Sequence, residues 1–317
     1  MVRAHTRQRQ PQTSLPARLA VCFLLTFALS PAPLAQQPPQ DDDVLSVNTN
    51  LVVLNVTATD GKGGYVHGLK RGDFKVFEDG HEQQLTSFSE EETPFAVALL
   101  LDVSGSMEGR VSLARAAAIR FLDGLRENDV ASVYSFESKV AQVQEFSGSR
   151  DLTPRAFGLG AKGQTVLNDA VVQAANDLAK RPEKRRAIII LSDGADTMSR
   201  ASADKALATA FAANATIYSV DMGEHTTGGA LGEMAAAGAL KNFASKSGGR
   251  YVATPGGREL RETFGEIVEE LSNQYTVGYR PTNTARDGRW RSIEVSIARP
   301  EVTARTRKGY RLAKLKS

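Results

Sequence analysis

The sequence predicts an α/β fold in which a Rossmann-like, doubly wound and mostly parallel sheet is inserted in a small antiparallel β-sandwich. The first observation is a pair of continuous apolar runs, Phe95–Leu101 and Ala187–Leu191, which are typical of strands covered on both faces. The second is that helical stripes of apolar residues alternate with the predicted strands. The third is that short alternating strands flank this region on both sides, so the two flanks are expected to build the sandwich together.

The N-terminal β unit is assigned to residues 44–93. Its first strand places apolar side chains on one face at alternating positions: Val52, Leu54, Val56 and Ala58. A second strand is predicted at Phe74–Glu78. Because Asp79-Gly80 is a typical two-residue hairpin turn, Leu85–Phe88 is expected to return beside that strand.

Residues 94–273 form the predicted α/β unit. Helices are indicated where apolar residues recur every three or four positions, over Val111–Leu125, Leu167–Leu178 and Leu260–Leu271. Two further helices are predicted near Ser202–Phe211 and Glu233–Ser247. Further strands are predicted at Val130–Phe136, Val140–Phe146, Thr216–Val220 and Arg250–Ala253. Since Val140–Phe146 follows its predecessor after only a few residues, we expect it to be antiparallel, because a parallel pair needs a longer crossover.

Residues 274–317 form the C-terminal β segment. Short strands are predicted at Gln274–Tyr279, Arg291–Ile297 and Val302–Tyr310, with Asp287-Gly288 as one of the turns between them. We expect these strands to complete the N-terminal β unit.

The N-terminus has the pattern of an export signal over residues 1–35. Basic residues precede the apolar stretch Leu19–Ser30, which is too short to span a bilayer. The predicted location is therefore secreted, or periplasmic in the cell envelope, and membrane contact is expected only if this segment stays uncleaved. Residues 36–43 are polar and contain proline, which predicts a flexible leader. The single cysteine, Cys22, lies in the signal, so the mature chain has neither a disulfide nor a thiol nucleophile.

Composition and charge argue against several partner classes. Hydrophobic residues make up 41% of the chain and charged residues 24%, as in ordinary globular proteins. Removing the four arginines of residues 1–35, which hold no acidic residue, lowers the formal net charge from +3 to −1. This near-neutral balance gives no case for nucleic-acid binding. The phosphate-loop lysine motif of nucleotide-binding ATPases is not present in the sequence.

Oxygen-bearing side chains follow three separate segments. Asp102, Ser104 and Ser106 (DVSGSM) come directly after the first apolar run, and Asp193 (LSDGAD) comes directly after the second. Thr165 (GQTVLNDA) precedes a predicted helix. In open α/β sheets, binding sites form beyond the carboxyl ends of the strands where the strand order reverses, so we expect the three loops to converge there. Each position taken alone also suits a helix cap, but all five in this order favour a site.

This pattern resembles the metal-ion-dependent adhesion site of von Willebrand factor A domains. The resemblance implies that Ser104 and Ser106 bind a metal ion directly through their hydroxyl oxygens. It implies that Thr165 binds the ion directly or through water, and that Asp102 and Asp193 mostly hold coordinated waters.

The implied ion is Mg²⁺, with Mn²⁺ and Ca²⁺ as alternatives, because Mg²⁺ prefers octahedral oxygen ligands and retains several waters. Neutral hydroxyls leave such a cation under-neutralised, so an Asp or Glu carboxylate of a partner protein completes the site. The resemblance covers about residues 94–270, and the flanks resemble bacterial secreted proteins that embed such a domain. It implies an exported, metal-dependent protein-binding or adhesion module that is not an enzyme.

Two other functions stay open. One is an accessory subunit of an assembly or metal-insertion complex, which the predicted export disfavours because ATP is not available outside the cytoplasm. The other is a metal-dependent hydrolase, which needs a general base beside the metal. Asp196 and Glu108 are the nearby carboxylates for that role.

Several further motifs have simpler structural interpretations. Gly158–Gly163 matches GxGxxG but does not follow a strand directly, as a dinucleotide site requires. Ser202, in an SxxK match, is expected to be a helix N-cap. Arg71–Asp73, an RGD triplet, is expected to form a turn into a strand. The histidines that we interpret as surface or turn residues are His67, His81 and His225.

Overall fold

A computed structural model describes the chain over residues 51–90, 93–151, 164–223, 231–253 and 257–312. The predicted signal (1–35) and leader (36–43) lie outside the described residues, as do Gly158–Gly163 and His225. The described residues all belong to one compact unit, Asp43–Ser317. Within these residues, every helix is too short or too polar to cross a membrane.

In the described part of the N-terminal segment the strands are β1 (Val52–Thr59), β2 (Phe74–Glu78), β3 (His81–Gln83) and β4 (Leu85–Ser89). The predicted Asp79-Gly80 turn is confirmed, since both residues have positive φ (49° and 80°) and β2 pairs with β3 across them. The expectation that Leu85–Phe88 pairs with Phe74–Glu78 is wrong, because β4 joins another sheet. A two-residue turn returns the chain at once, so β3 occupies that edge of β2 and the apolar residues that follow cross to the second sheet.

The α/β unit contributes six strands among the described residues: β5 (Phe95–Asp102), β6 (Val130–Phe136), β7 (Val140–Ser147), β8 (Arg185–Ser192), β9 (Ala215–Asp221) and β10 (Tyr251–Ala253). Its helices are α1 (Val111–Asp123), α2 (Leu167–Ala179), α3 (Ala203–Ala212), α4 (Leu231–Ser247) and α5 (Gly257–Ser272). The strands lie in the order β10-β9-β8-β5-β6-β7. All neighbours are parallel except β7, which is antiparallel to β6 as predicted from its short connection.

The central strand β5 shows why the sheet is covered on both faces. All eight of its residues are buried. Val97 and Leu99 pack in one core with α1 and α5, whereas Ala98 and Leu100 pack in a second core with α2, α3 and α4. Successive residues of a strand point to opposite faces, so a strand between two helical layers must be apolar throughout. The predicted doubly wound architecture is confirmed.

As far as residue 312, the C-terminal segment adds the strands β11 (Tyr275–Tyr279), β12 (Trp290–Ile297), β13 (Thr303–Arg305) and β14 (Gly309–Arg311). The single strand predicted at Val302–Tyr310 is wrong, because β13 and β14 belong to different sheets. The residues between them bond elsewhere: the Thr306 hydroxyl donates to the carbonyl of Asn55, and the Lys308 N–H donates to the carbonyl of Lys246. These bonds to β1 and to the last turn of α4 interrupt the strand.

The two four-stranded sheets form the predicted sandwich. Their strand orders are β13-β1-β11-β4 and β14-β12-β2-β3, so each sheet combines strands from both flanks of the α/β unit. Buried residues from both sheets share one core, among them Val56, Val76, Val277 and Ile293. The α/β unit is thus inserted between the two halves of the sandwich.

Candidate metal centre

The strand order of the central sheet reverses beside β5. The chain runs outward from β5 to β6 and β7 and then crosses back to β8 on the other side of β5. Asp102 ends β5 and Ser192 ends β8, and the parallel register aligns Leu101 with Leu191 directly before them. Ligands of open α/β sheets bind beyond the carboxyl ends of strands at such a reversal.

The loop after β5 folds back over the end of its own strand. The backbone N–H of Ser104 donates to Asp102 Oδ1 at 2.9 Å, and the Ser192 hydroxyl donates to Asp102 Oδ2 at 2.5 Å. The hydroxyl oxygens of Ser104 and Ser106 lie 3.1 Å apart. A 3₁₀ helix, Gly105–Arg110, starts directly after Ser104 and turns the second serine back towards the first. Ser104 is buried and Ser106 is exposed, so this pair of hydroxyls reaches from the interior to solvent.

Asp102 is a buried carboxylate, with 1% of its surface exposed. Burial raises the pKa of Asp102 to about 6, and the charge of Asp193 acts in the same direction. The hydrogen bonds from Ser104 and Ser192 lower this pKa. Neutral donors therefore hold the carboxylate in place without compensating the cost of its burial.

Asp193 opens the loop after β8. Its Oδ1 accepts a hydrogen bond from the backbone N–H of Ala195 at 3.1 Å, and the Gly194 N–H donates to the Ser192 hydroxyl at 2.9 Å. Gly194 has φ 84°, and a β-carbon at this position would lie 2.5 Å from the carbonyl oxygen of Ala236 in α4. This position requires glycine for its left-handed conformation and for the close approach of the helix backbone.

Thr165 is buried two residues before α2 and is bonded to the loop after β8. Its N–H donates to the Thr197 hydroxyl at 2.9 Å. Its carbonyl accepts hydrogen bonds from the N–H groups of Thr197 at 2.9 Å and Met198 at 3.1 Å. The loop that carries Asp193 therefore also positions Thr165.

Two carboxylates strengthen the junction between this loop and α2. Asp196 accepts hydrogen bonds from the N–H groups of Asn168 at 2.8 Å and Ser199 at 3.1 Å. Asp169 accepts two N–H groups of the same loop, at 3.1 and 2.8 Å. Acidic groups at a helix N-terminus satisfy backbone donors and are favoured by the helix dipole.

The five predicted site residues are connected to different degrees. Direct hydrogen bonds join Asp102 to Ser104 and Ser104 to Ser106. Asp193 is linked to this group indirectly, because its neighbour Ser192 at the end of β8 donates a hydrogen bond to Asp102. Thr165 is linked more remotely, through its hydrogen bond to Thr197 in the loop after β8. The described residues hold no group of three or more His, Cys, Asp or Glu side chains that could bind a metal.

Two residues of this arrangement were not predicted from the sequence. Ser192 directly precedes Asp193 and ends a buried strand beside Asp102, which is a signal that sequence analysis could have used. Thr197 offers no comparable signal, because its partner Thr165 is 32 positions away and their contact depends on how two loops pack.

The remaining motifs that lie within the described residues have the structural roles expected of them. The Ser202 side chain accepts a hydrogen bond from the Lys205 N–H, which confirms the helix N-cap. Arg71–Asp73 forms a short 3₁₀ helix directly before β2, so the turn into a strand is also confirmed. His67 and His81 are exposed.

Comparison with known proteins gives one family match. Residues 97–195 match the von Willebrand factor type A domain, whereas no curated protein matches the chain. Among solved structures, a von Willebrand factor type A protein from Catenulispora acidiphila is 14% identical, with a TM-score of 0.47 over 84% of this chain and 75% of that one.

Two other solved structures are similar at comparable levels. The PilB minor pilin from Streptococcus sanguinis is 15% identical over 58% of this chain, with a TM-score of 0.44, and the chain spans 63% of the pilin's length. An aerotolerance-related membrane protein from Bacteroides fragilis is 16% identical, with a TM-score of 0.43 over 56% of this chain and 99% of that one.

The family match and the fold coincide on the same part of the chain. The matched residues run from β5 to the loop after β8, and they include all five residues of the candidate site. The chain therefore contains a von Willebrand factor type A domain.

Proposed function

We propose that this protein is an exported binding module that uses a divalent metal ion, most simply Mg²⁺, to engage an Asp or Glu side chain of a partner protein. Ser104, Ser106 and Thr165 would hold the ion, with Asp102 and Asp193 holding it through water. Mn²⁺ or Ca²⁺ would be bound by the same oxygen donors.

The observation that carries this proposal is the spacing of the two serine hydroxyls beside a buried carboxylate. Neighbouring ligands of an octahedral Mg²⁺ ion lie about 3 Å apart, because each Mg–O bond is about 2.1 Å long. The 3.1 Å between the Ser104 and Ser106 oxygens suits two such ligands. The adjacent Asp102, whose pKa is raised by burial, would be stabilised in its charged form by a cation.

A bound Mg²⁺ would offer an open coordination position that an anionic oxygen can fill. The chain's own hydroxyls carry no formal charge, so they would leave the ion attractive to a carboxylate. Ser106 is exposed, which leaves this side of the site open to a partner. These properties favour recognition of an acidic side chain over a closed structural metal site.

Binding is favoured over hydrolysis by the role of Asp196. Both of its oxygens accept backbone N–H groups, from Asn168 and Ser199, so this carboxylate is engaged in holding α2 against the loop. A general base must lie within hydrogen-bonding reach of the attacking water, and the described contacts of Asp196 are instead with backbone N–H groups of α2 and of its own loop. The accessory-subunit alternative is disfavoured by the export signal predicted at residues 1–35.

The first test measures thermal unfolding with and without Mg²⁺. At an Mg²⁺ concentration of about 100 times its Kd, binding stabilises the folded state by about 2.7 kcal/mol, which corresponds to a rise in Tm of roughly 5 °C. Asp102→Ala should abolish the rise. Asp123→Ala, which removes an exposed carboxylate at the far end of α1, should preserve it. An equal rise in wild type and Asp102→Ala would contradict the site.

The second test is capture of a partner from the envelope fraction of the source organism. Wild-type protein should retain a partner in Mg²⁺ and release it in EDTA, whereas Asp102→Ala should retain none under either condition. Retention that is insensitive to EDTA and to Asp102→Ala would contradict metal-dependent binding.

A further inference from the structure

Two short stretches beside the candidate metal centre, residues 165–169 and 196–201, are hydrogen-bonded to each other in both directions. The first contains Thr165 and the start of α2, and the second belongs to the loop after β8. Backbone N–H groups of the first stretch donate to side chains of the second, at Thr165, Asn168 and Asp169. Backbone N–H groups of the second stretch donate back to the first, at Thr197, Met198, Arg200 and Ala201. We call the two stretches together the clamp.

Within the clamp, Thr197 bonds to both polar backbone groups of Thr165. Its hydroxyl oxygen accepts the Thr165 N–H at 2.9 Å, and its own N–H donates to the Thr165 carbonyl at 2.9 Å. Thr165 is buried, with 1% of its surface exposed. Because a buried peptide group without a hydrogen bond is costly, these two bonds hold the Thr165 backbone in place.

Two carboxylates extend the clamp along the first turn of α2. Asp196 accepts the Asn168 N–H at 2.8 Å, and Asp169 accepts the N–H groups of Arg200 and Ala201 at 3.1 and 2.8 Å. Each carboxylate therefore bonds to backbone of the opposite stretch. Since every one of these bonds joins groups of the chain itself, the clamp needs no metal ion to form.

A ligand that is ordered in advance strengthens binding, because no free energy is lost in ordering it when the ion arrives. Groups that hydrogen-bond to the ligand residues of a metal site set the orientation of those residues. The clamp contains Thr165, and Asp193 opens the loop that runs into its second stretch. Two of the five candidate residues thus belong to segments that the clamp joins.

We propose that Thr197 is a positioning residue for Thr165, and that the clamp fixes this candidate ligand before a metal ion binds. The inference rests on the proposed function, which assigns Thr165 to the ion. Thr197 acts through the backbone of Thr165 and not by touching the ion. Because Mg²⁺ demands near-ideal octahedral geometry whereas Ca²⁺ accepts flexible arrangements, a ligand held in advance favours Mg²⁺ more than Ca²⁺.

The test compares Thr197→Ala and Thr197→Ser with the wild-type protein by calorimetric titration. Thr197→Ala removes the acceptor of the Thr165 N–H and should weaken Mg²⁺ binding by about tenfold. Its Ca²⁺ binding should weaken by less than about threefold, because the more flexible coordination of Ca²⁺ tolerates a displaced ligand. Thr197→Ser keeps the hydroxyl and should restore wild-type affinity for both ions.

A control variant and a metal-free measurement separate positioning from general destabilisation. Thr209→Ala removes a hydroxyl that donates to the Lys205 carbonyl within α3 at 2.8 Å, and it should leave both affinities unchanged. In metal-free buffer, hydrogen exchange should show a protected Thr165 amide in the wild-type protein and faster exchange of that amide in Thr197→Ala.

The outcomes distinguish this inference from the proposed function. Wild-type Mg²⁺ affinity in Thr197→Ala, or equal losses of Mg²⁺ and Ca²⁺ affinity, would overturn the positioning role while Mg²⁺ binding by the wild-type protein upheld the metal centre. A Thr165 amide that becomes protected only when Mg²⁺ is added would overturn a clamp formed in advance. Failure of the wild-type protein to bind either ion would overturn the proposed function and the positioning role together.

Discussion

Ser192 joins the two strand ends that carry the candidate ligands. Its hydroxyl donates to Asp102 Oδ2 at 2.5 Å and accepts from the Gly194 N–H at 2.9 Å. One buried side chain therefore orients the carboxylate at the end of β5 and the loop that begins with Asp193. Groups that hydrogen-bond to metal-holding side chains set the orientation of those side chains and tune metal affinity.

We predict that Ser192→Ala weakens Mg²⁺ binding by about tenfold while the protein remains folded. Asp102 would lose one of the donors that orient it. The measurement is calorimetric titration with Mg²⁺, with urea unfolding in metal-free buffer to verify the fold. Ser219→Ala is the matched control, because this buried serine of β9 has a hydroxyl without a hydrogen-bond partner in the described structure. Wild-type affinity in Ser192→Ala would contradict the role of this hydroxyl.

At the scale of elements, the close packing of α4 against the loop after β8 depends on one glycine. Gly194 combines φ 84° with direct contact against the backbone of α4 at Ala236. Neither constraint can be relieved by a side-chain rotation, because the contacted atom belongs to the helix backbone. The position of the loop, and with it that of Asp193, depends on this contact.

We predict that Gly194→Ala lowers the free energy of unfolding by more than about 1 kcal/mol, because alanine is strained at positive φ and its β-carbon meets the Ala236 carbonyl. Gly238→Ala in α4 is the control: its β-carbon would meet nothing within 4 Å, and it should stabilise the helix by roughly 0.5–1 kcal/mol. Urea unfolding of both variants measures the difference. Two variants of equal stability would show that the loop adapts without strain.

Across the whole molecule, the sandwich and the α/β unit meet at a buried carboxylate of α5. Glu270 accepts hydrogen bonds from the hydroxyls of Tyr218 in β9 at 2.7 Å and Thr57 in β1 at 3.2 Å. It also forms an ion pair with Arg305 of β13 at 2.5 Å, and Arg305 donates to the carbonyl of Gly248 after α4. Strands from both flanks are thereby joined at one point to α5, to β9 and to the residue that follows α4.

We predict that Arg305→Ala lowers the free energy of unfolding by about 2 kcal/mol. Breaking a buried ion pair costs about 3–5 kcal/mol, and the partial exposure of Arg305 reduces that figure. Arg299→Ala, which removes an exposed pair with Asp73 at 3.9 Å, should cost less than about 1 kcal/mol. Urea unfolding of the two variants checks this order, and equal losses would contradict a special role for the junction.

Much of the fold could be predicted because its signals are local. Phe95–Leu101 and Ala187–Leu191 are apolar without interruption since both faces of a central strand must be buried. The Asp79-Gly80 turn has its own conformational preference, which the structure reproduces. The strand at Val302–Tyr310 was predicted incorrectly because nothing local marks the division between two sheets.

The sequence by itself determined the order of most strands and helices and which oxygen-bearing side chains are candidates for a site, because hydrophobic periodicity and loop chemistry are properties of neighbouring residues. Only the tertiary structure decided the sheet to which β4 and β14 belong, the bond between Ser192 and Asp102, and the attachment of Thr165 to the loop after β8. These features join residues distant in the chain, and they follow from the packing of complete layers, which brings such residues within hydrogen-bonding distance.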